Sequence, residues 1–310
     1  MEKPVRLNLT KLDVPAFLLN IPFSYSTDEP NNLTMHTLGE QGRLVNHNRA
    51  MKQFLDLYYF MASQSVVQIL PTPADCRLQD LVFVSNLGIV LPHLSNSNTV
   101  IISNFKTAPR LGETEVGVNF FTSMGYNVHV PPYNFEGEAE LKHLHDNVYI
   151  GGHGLRTDPR AFAWLEKEFD MKIIQAETHD GNLYHLDCTV FPITKMQTLV
   201  ATAVYPPEVI QQIERETEII DVSRTDAYRG ITNSVRMHNL ILNASHISEL
   251  KVGTEIYDHE LHKNRSLEEI AARLGFEVAY FNLSEFIKGG ALLSCLVMHL
   301  NRQSSENKLI

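Results

Sequence analysis

Four short stretches of the sequence carry side chains that could act together on one substrate. They are LQDLVFVSN with Asp80, FEGEAEL with Glu136, YHLDC with His185 and Asp187, and GGALLSC with Cys295. Two carboxylates can hold a flat guanidinium cation through charge-assisted hydrogen bonds, and a thiolate can then attack its central carbon. A histidine would protonate the departing amine and afterwards activate water. The set of residue types therefore indicates nucleophilic chemistry on a guanidinium group.

Each of these residues also has an ordinary structural interpretation. As part of a strand, YHLDC places His185 and Asp187 on one face and Cys188 on the other, which is equally typical of a half-buried strand with a polar outer face. A cysteine in an apolar run, such as Cys295, is usually a small core residue. Glu136, which precedes a glycine, is typical of a turn. Only the combination favours a site, and Cys188 is then expected to be structural and to face away from Asp187.

The segments that must position these residues alternate between short apolar strands and helices. Apolar runs predict strands at SVVQIL (65–70), DLVFVSNLGIVL (80–91), NTVIISN (98–104), YNVHVPP, DNVYIGG, KIIQAE, YHLDCTVFPI, QTLVATAV, NLILNASHI (239–247), EVAYFNL and ALLSCLVMHLN. Helices are predicted around 112–124, over DPRAFAWLEKEF, where Asp158 and Pro159 make a favourable start, and over PPEVIQQIERET and SLEEIAARLGF. The repeated order of strand, strand, helix and strand predicts the α/β fold class.

The candidate residues recur at a regular interval. Asp80, Glu136, His185 and Cys295 are separated by 56, 49 and 110 residues, and the last interval is two steps of 55. The missing step falls near residue 240, inside RMHNLILNAS. Five units of about 50–55 residues, each delivering a strand end or loop to one place, indicate a radial or stacked architecture.

Composition and charge limit the functional classes. The chain of 310 residues is 44% hydrophobic and 20% charged, with a formal net charge of −10, and no Gly/Ser linker divides it. We expect a single domain over residues 1–310 with an ample core. Because the sequence contains no long basic run, we expect neither nucleic acid nor a membrane surface as a partner. A small cationic substrate is compatible with the negative charge.

Cysteine usage and the N-terminal sequence indicate a cytoplasmic protein. Cys76, Cys188 and Cys295 are few and odd in number, and none belongs to a C-x-x-C pair, so neither a disulfide framework nor a zinc–thiolate site is expected. The start MEKPVRLNLTKLDV lacks the apolar core of a signal peptide, and no apolar run approaches the length of a membrane span.

Four motifs in order make the sequence similar to the guanidino-modifying (pentein) superfamily, which contains arginine deiminases, arginine dihydrolases, dimethylarginine hydrolases and amidinotransferases. FLLNIPFSYSTDEPNNLTM resembles the first strand and the Asn-x-x-Met element of the dihydrolase-like branch, and YHLDC resembles the His-Leu/Ile-Asp motif. GGALLSC is similar to the late Gly-rich cysteine segment, and YIGGHGLRTD to the segment that ends in Arg-Thr. The resemblance covers roughly residues 16–302. It implies a five-bladed α/β-propeller of pseudo-fivefold ββαβ repeats.

By position, the resemblance implies three catalytic residues. Cys295 would be the nucleophile and His185 the general acid/base, with Glu136 as its partner. The family often has Glu-Gly-Gly-Asp where this chain has EGEAE over residues 136–140, so the turn after Glu136 is expected to differ, and Glu140 is a candidate to replace the aspartate. We expect neither a cofactor nor a bound metal ion.

The resemblance also implies four substrate-binding residues. Asp80 and Asp187 would bind the guanidinium group, and Asn86 lies where the dihydrolase-like branch also has asparagine. Arg156 falls where arginine-specific members hold the substrate carboxylate, although an arginine before a helix is commonly just solvated. On this interpretation His185 and Asp187 share a face of a strand because both contact the same guanidinium.

Two other classes of protein stay open. The histidines that could ligate a metal together with His185 and Asp187 are His143, His145, His153, His259 and His262. They lack the H-E-x-x-H arrangement of a metallohydrolase. The propeller fold also serves a non-catalytic ribosome anti-association factor, so fold alone does not establish an enzyme.

The favoured interpretation is a cysteine-dependent hydrolase that acts on the guanidinium group of free L-arginine or a close analogue. The reaction would pass through a covalent amidino-cysteine (thiouronium) intermediate and give ornithine or citrulline with ammonia. The alternative within the superfamily is an amidinotransferase that passes the amidino group to an acceptor amine. Asp187 favours unmethylated arginine, because an anionic clamp needs free N–H groups. The exact substrate, the C–N bond that is cleaved and the oligomeric state, including a homo-oligomer, stay open.

Overall fold

The computed structural model describes residues 9–74, 77–94 and 98–303, and the strands of this part of the chain are short. They are β1 (Ala16–Asn20), β2 (Val66–Leu70), β3 (Gly88–Val90), β4 (Thr99–Ile102), β5 (Asn127–His129), β6 (Leu141–His145), β7 (Val148–His153), β8 (Lys172–Glu177), β9 (Val190–Pro192), β10 (Gln197–Val200), β11 (Glu218–Asp221), β12 (Val235–Met237), β13 (Leu240–Ala244), β14 (Glu277–Phe281) and β15 (Met298–His299). The helices are α1 (Leu33–Arg43), α2 (His47–Ala62), α3 (Glu113–Ser123), α4 (Gly137–Glu140), α5 (Pro159–Phe169), α6 (Pro207–Glu214), α7 (Arg224–Tyr228), α8 (Glu255–Leu274) and α9 (Ser284–Ile287). Cys76 lies outside the described residues.

The strands form five mixed sheets of three strands each. Their orders are β3-β4-β5, β6-β7-β8, β9-β10-β11, β12-β13-β14 and β15-β1-β2. In the second sheet, β6 pairs antiparallel with β7, and β7 pairs parallel with β8 across helix α5. The other sheets repeat this antiparallel and then parallel pairing. The predicted α/β class and its ββαβ repeats are thus confirmed.

The crossover helices begin and end at residues that satisfy free backbone groups. Asp158 caps α5, since its side chain accepts a hydrogen bond from the backbone of Arg160, and Pro159 occupies the first turn. Thr254 caps α8 in the same way, and Gly275 ends it in a left-handed conformation. The prediction over SLEEIAARLGF therefore captured only the second half of α8.

The two ends of the chain meet in the fifth sheet. Strand β15, near the C-terminus, pairs antiparallel with β1, and β1 pairs parallel with β2 across α2. Asn301 fastens this junction, because its side chain accepts from the backbone of Ala16 at 3.1 Å and donates to the carbonyl of Val14 at 2.9 Å. The ring of sheets is closed by chain segments that are far apart in sequence.

Three long predicted strands are wrong in their first halves. Over 80–91, 184–193 and 291–301, the observed strand is limited to β3, β9 and β15, and a 3₁₀ turn precedes each one at Val84–Asn86, Leu186–Cys188 and Ser294–Leu296. These apolar runs are buried on every side, so they carry no alternation that distinguishes a strand from a buried turn. His185 and Asp187 consequently do not share the face of a strand. None of the described helices has the length and apolar character needed to cross a membrane.

Candidate active site

Five segments that directly precede the first strand of each sheet come together in the molecule. They are the turns Val84–Asn86, Leu186–Cys188 and Ser294–Leu296, helix α4, and the loop over residues 232–234. The turn Val84–Asn86 packs against α4 and against the turn Ser294–Leu296, and α4 packs against the turn Leu186–Cys188. The side chains of the candidate site project from these segments.

Glycine at position 137 permits the close approach of α4 to the first turn. Gly137 has a φ of 57°, in the left-handed region that disfavours other residues. A Cβ atom there would lie 2.6 Å from the carbonyl oxygen of Ser85 and 2.7 Å from the backbone nitrogen of Gly88. Glu136 can therefore come within reach of Asn86 only because residue 137 has no side chain.

Cys295 lies in a buried cluster with a carboxylate and a hydroxyl. Its sulfur is 3.7 Å from Oδ2 of Asp187, and the hydroxyl of Ser294 donates to the same oxygen at 2.6 Å. Cys295 is 5% exposed and Asp187 is fully buried. Burial and the charge of Asp187 raise the pKa of the Cys295 thiol to about 12. The thiol is therefore protonated near neutral pH.

His185 and Glu136 form the second pair of the site. Nε2 of His185 is 2.8 Å from Oε2 of Glu136, and the amide nitrogen of Asn86 is 3.3 Å from the same ring nitrogen. Burial lowers the pKa of His185, although the hydrogen bond and charge of Glu136 oppose this. Burial disfavours the ionised form of Glu136, but Arg156, His185 and Arg110 outweigh it and lower the pKa of the carboxyl group. The pair is a neutral imidazole held by a carboxylate.

Asp80 presents an unsatisfied oxygen. Its Oδ2 accepts from the amide of Asn31 at 2.5 Å, whereas its buried Oδ1 has no hydrogen-bond partner among the described residues. Burial raises the pKa of Asp80, and Arg110 and Asn31 oppose that rise. A buried, underpaired carboxylate is unfavourable unless a donor completes it. This oxygen is therefore suited to accept an N–H group from a ligand.

Two arginines border the same region. Arg156 donates to the carbonyl oxygen of Asn31 at 2.8 Å, lies 3.4 Å from Oε1 of Glu136, and stacks over the ring of Tyr184. Arg110 makes two hydrogen bonds to Glu113, at 3.0 and 2.7 Å. The hydroxyl of Tyr184 donates to the carbonyl oxygen of Gly290, next to the loop that leads to the cysteine. The guanidinium groups of Arg156 and Arg110 and the ring of Tyr184 thus border the pocket on which the carboxylates lie.

A narrow pocket connects these groups. Of the seven residues predicted from the sequence, five line it, namely Asp80, Asn86, Arg156, His185 and Cys295. The other two, Glu136 and Asp187, lie directly behind the lining, where they contact His185 and Cys295. The structure therefore brings all seven predicted residues together. Larger cavities elsewhere in the described part of the molecule do not contain Cys295 or His185.

The prediction for Cys188 is wrong. Its sulfur does not face away from Asp187 but lies 3.7 Å from Oδ1 of that residue. The reason is the 3₁₀ turn, in which neighbouring side chains are separated by about a third of a turn and not by half a turn as in a strand. Asp187 therefore lies between two thiols, with one carboxylate oxygen near each.

The residues after Glu136 form the short helix α4, which includes Glu140, the candidate to replace the aspartate of the family pattern. Glu140 is fully buried, and its carboxylate accepts from the backbone nitrogen of Leu186 at 3.1 Å. It thereby holds the turn that carries Asp187. Glu138, between the two, faces away from the pocket and pairs with His299 and with Arg302. The acidic side chains of this short helix thus anchor two separate segments, the turn Leu186–Cys188 and the chain at and after β15.

The histidines considered as metal ligands are dispersed. His145 pairs with Glu216 at 3.4 Å, and His262 lies 3.7 Å from Asp226. Within residues 9–74, 77–94 and 98–303, no three His, Cys, Asp or Glu side chains are arranged to hold a metal ion.

Sequence reasoning missed five residues of the site. They are Asn31, Arg110, Tyr184, Asn233 and Ser294. Asn233 had a usable signal, because the regular spacing points to a contribution near residue 240, and the loop that supplies it lies just before β12. Tyr184 and Ser294 adjoin predicted residues. Asn31 lies within the quoted segment FLLNIPFSYSTDEPNNLTM, directly before its Asn-x-x-Met element, whereas Arg110 belongs to none of the motifs named above.

The family comparison covers most of the chain. A family model described as N,N dimethylarginine dimethylhydrolase, eukaryotic, matches residues 20–302. The bifunctional arginine dihydrolase/ornithine cyclodeaminase AgrE of Nostoc sp. is 25% identical over 292 residues, which are 92% of this chain and 37% of that protein. The N(G),N(G)-dimethylarginine dimethylaminohydrolase of Mycobacterium tuberculosis is 24% identical over 82% of this chain and 76% of its own length. The chain spans only 37% and 34% of the two bifunctional relatives it matches.

Solved structures show the same fold. The substrate-bound N-terminal domain of ArgZ, a cyanobacterial arginine dihydrolase, superposes with a TM-score of 0.79 at 23% identity, over 93% of this chain and 98% of that one. A Pseudomonas aeruginosa DDAH in complex with citrulline superposes with a TM-score of 0.67 at 18% identity, over 92% and 99% of the two chains. Both support the five-bladed propeller of the pentein superfamily. The chain belongs to the eukaryotic N,N dimethylarginine dimethylhydrolase family, within the pentein superfamily.

Proposed function

We propose that the protein hydrolyses the guanidinium group of free L-arginine, or of a close analogue, through a covalent intermediate on Cys295. The proposal rests above all on one observation, the buried thiol of Cys295 beside the pocket that also contains His185 and the unsatisfied oxygen of Asp80. A guanidinium ion fits this set, because it offers N–H donors to the carboxylates and an electrophilic carbon to the thiol.

The substrate cation is an active part of this proposal. Asp80 and Asp187 accept N–H groups of the guanidinium, and Asn86 contributes a polar contact beside His185. The positive charge enters next to a thiol whose pKa burial and Asp187 raise to about 12. A cation next to the sulfur favours the thiolate, so substrate binding itself activates Cys295. The free enzyme keeps an unreactive thiol.

In the chemical steps Cys295 forms and breaks the bond to carbon, and His185 carries the protons. The thiol proton passes to the neutral imidazole as sulfur attacks the guanidinium carbon. His185, held by Glu136, returns that proton to the departing nitrogen, and ammonia leaves with the C–N bond. The remaining thiouronium is attacked by a water molecule that His185 deprotonates. Collapse releases the thiol and citrulline.

A second cycle on citrulline would give ornithine, carbon dioxide and another ammonia. The names of the two bifunctional relatives include arginine dihydrolase activity. Transfer of the Cys295-bound amidino group to an acceptor amine, in place of water, is the alternative reaction. Arg156 would hold the substrate carboxylate, once it exchanges part of its contact with Glu136 for the ligand.

A second candidate substrate is N,N-dimethylarginine, which the match of the family model favours. The unpaired oxygen of Asp80 and the carboxylate of Asp187 favour the unmethylated guanidinium, because methyl groups remove two N–H donors. A non-catalytic binding protein on the same fold is the alternative of another class. We further propose that residues 1–310 act as one cytoplasmic catalytic domain that needs no nucleic acid, and that a homo-oligomer is compatible with it.

Product analysis of the purified protein tests these alternatives side by side. The protein and its Cys295→Ala variant are incubated with L-arginine, with N,N-dimethylarginine, and with L-arginine plus glycine. Citrulline or ornithine with ammonia, formed only by the parent protein, supports hydrolysis of arginine. Dimethylamine from the second mixture selects the methylated substrate, and ornithine without ammonia in the third selects transfer. If neither substrate is consumed, the binding protein becomes the better account.

A further inference from the structure

Asn233 connects the fourth sheet to the cysteine loop. Its Oδ1 accepts a hydrogen bond from the backbone nitrogen of Ser294 at 2.8 Å, and its Nδ2 lies 3.6 Å from the sulfur of Cys295. The residue is 2% exposed. The side-chain amide of Asn233 therefore contacts both the backbone of Ser294 and the thiol of Cys295.

The orientation of this amide is fixed by the backbone bond. Only the oxygen end can accept the N–H group of Ser294, which fixes the orientation of the amide. Its Nδ2 is then the atom nearer to the sulfur, at 3.6 Å, while Oδ1 lies 3.9 Å from the sulfur and can accept from the neutral thiol. An NH2 group is a donor, and a thiolate is a far better acceptor than a thiol. The contact is consequently stronger in the ionised state of Cys295 than in the neutral state.

The loop that carries Asn233 is itself held in place. The side chain of Asn243 donates to the carbonyl oxygen of Gly230 at 2.9 Å and to the hydroxyl of Ser234 at 2.8 Å. Asn243 in turn accepts from the buried Lys263 at 3.1 Å. The loop bonds on either side of Asn233 leave its side chain little freedom, which is what a preorganised donor requires.

We propose that Asn233 is a positioning residue, which orients the sulfur of Cys295 and stabilises its thiolate by N–H donation as the substrate binds. This inference rests on the proposed role of Cys295 as the nucleophile. Ser294 completes the arrangement, because its hydroxyl holds Asp187 and its backbone holds Asn233. The fourth sheet thereby contributes to the site without lining the pocket.

The electrostatic surroundings of the thiol are mixed. Burial and Asp187 raise the pKa of Cys295, whereas hydrogen bonds from the backbone of Leu292 and from Asn233 oppose the rise. The other titratable or charged groups around the sulfur are Asp80, Arg110, Lys142, Arg156, Tyr184, His185 and Cys188. Variants at position 233 leave all of them in place, so a changed thiol reactivity reports on Asn233.

The test is the rate at which iodoacetamide alkylates Cys295, measured by peptide mass spectrometry so that Cys188 and Cys76 are counted separately. Between about pH 7 and pH 10 the thiolate fraction rises tenfold per pH unit, and the rate follows it. Asn233→Ala should lower the alkylation rate at every pH in this range by about tenfold or more, as expected for loss of a hydrogen bond to a charged group. Asn233→Asp keeps an oxygen that can accept from the backbone of Ser294, but it replaces the NH2 donor by a carboxylate oxygen. It should therefore lower the alkylation rate further.

Asn264→Asp is the matched control, since Asn264 is also buried but bonds to Ser245 away from the site. It should leave the alkylation rate unchanged. Equal rates in the parent and in folded Asn233→Asp protein would overturn the inference, as would an equal loss in the control. Where L-arginine is turned over, Asn233→Ala should lower kcat and leave KM nearly unchanged. Alkylation needs no substrate, so the result stands even if arginine proves to be the wrong substrate.

Discussion

Asp187 and Cys295 form a buried carboxylate–thiol pair, in which Oδ2 lies 3.7 Å from the sulfur. In the free protein burial and this carboxylate together raise the pKa of the Cys295 thiol, because both disfavour a negative charge on the sulfur. In the proposed mechanism the guanidinium binds beside this pair, and the same carboxylate accepts one of its N–H groups. The proposed mechanism therefore predicts that activation of the Cys295 thiol is coupled to the arrival of a cation.

Replacing Asp187 should separate these two effects. In Asp187→Asn the pKa of Cys295 falls, and alkylation of the free protein near pH 8 should be about tenfold faster or more. Turnover of L-arginine should nevertheless fall by about 10- to 100-fold, because a charged hydrogen bond to the substrate is lost. Alkylation rates and steady-state kinetics on one preparation measure both. If the alkylation rate and the turnover rate of Asp187→Asn changed in the same direction, the proposed double role of Asp187 would be contradicted.

Glu136→Gln should act on turnover through His185. The carboxylate opposes the effect of burial, so its removal lowers the pKa of His185 further. We expect kcat to fall by about 10²- to 10⁴-fold with little change in KM, as for loss of general acid–base catalysis. The acidic limb of kcat/KM should move to lower pH.

The neighbouring Glu138→Gln variant is the control for that experiment. Glu138 has a pKa lowered to about 2, which burial opposes and which Arg302 and His299 cause. Its folded-state pKa lies below the unfolded value, so its stabilising contribution is present above about pH 4.5 and is lost as the pH falls towards about 2. Glu138→Gln should lower Tm at pH 7 but leave the pH dependence of kcat/KM unchanged. A shift of that dependence equal to the one in Glu136→Gln would contradict the separate roles.

Asp80→Asn should weaken the binding of L-arginine and leave the folded protein as stable as before or more stable. Burial raises the pKa of Asp80, and one of its oxygens has no hydrogen-bond partner within the described part of the chain, so the ionised carboxylate is unfavourable in the free protein. The variant should show an unchanged or higher Tm at pH 7. Its affinity for L-arginine, measured by calorimetry on a Cys295→Ala background, should be about 10- to 100-fold lower. Unchanged affinity would remove Asp80 from the substrate site.

Gly137→Ala should destabilise the protein and disturb the site. The positive φ alone costs roughly 1–2 kcal/mol for an alanine, and the Cβ atom would collide with Ser85 and Gly88. Gly253 is the matched control, because it has a φ of 79° but no atom of the residues that the structure describes lies within 4 Å of the place that a Cβ atom would take. Chemical denaturation should show a larger loss for Gly137→Ala than for Gly253→Ala, and activity should fall only in the former. Equal losses would mean that the close approach of α4 is not required.

The α/β class, most of the strands and the helices α3, α5, α6 and α8 could be predicted from the sequence, and so could most of the candidate site residues. Helices α1 and α2 and strands β6, β11 and β12 were not predicted. Alternating apolar runs and the helix start at Asp158 and Pro159 are local signals, and local physics determined those elements. The 3₁₀ turns before β3, β9 and β15 could not be predicted, because tertiary packing around them decides between turn and strand. The position of Cys188 was wrong for that reason alone.

The supporting residues of the site depend on contacts that are distant in sequence. Arg110 lies 30 residues from Asp80, and Asn233 lies 62 residues from Cys295. An arginine or asparagine has many uses in a protein, so neither is informative before the partners are known. The regular interval between candidate residues was the one long-range signal, and it pointed to the segment near Asn233 without identifying the residue.

The most direct test of the proposed mechanism is to trap the covalent intermediate. The protein is mixed with L-arginine, quenched with acid within milliseconds to seconds, and examined by intact mass and peptide mapping. We predict a mass increase equal to arginine minus ammonia, located on Cys295, absent from Cys188 and absent from Cys295→Ala protein. Turnover without any adduct on Cys295, or turnover that persists in Cys295→Ala, would contradict the account.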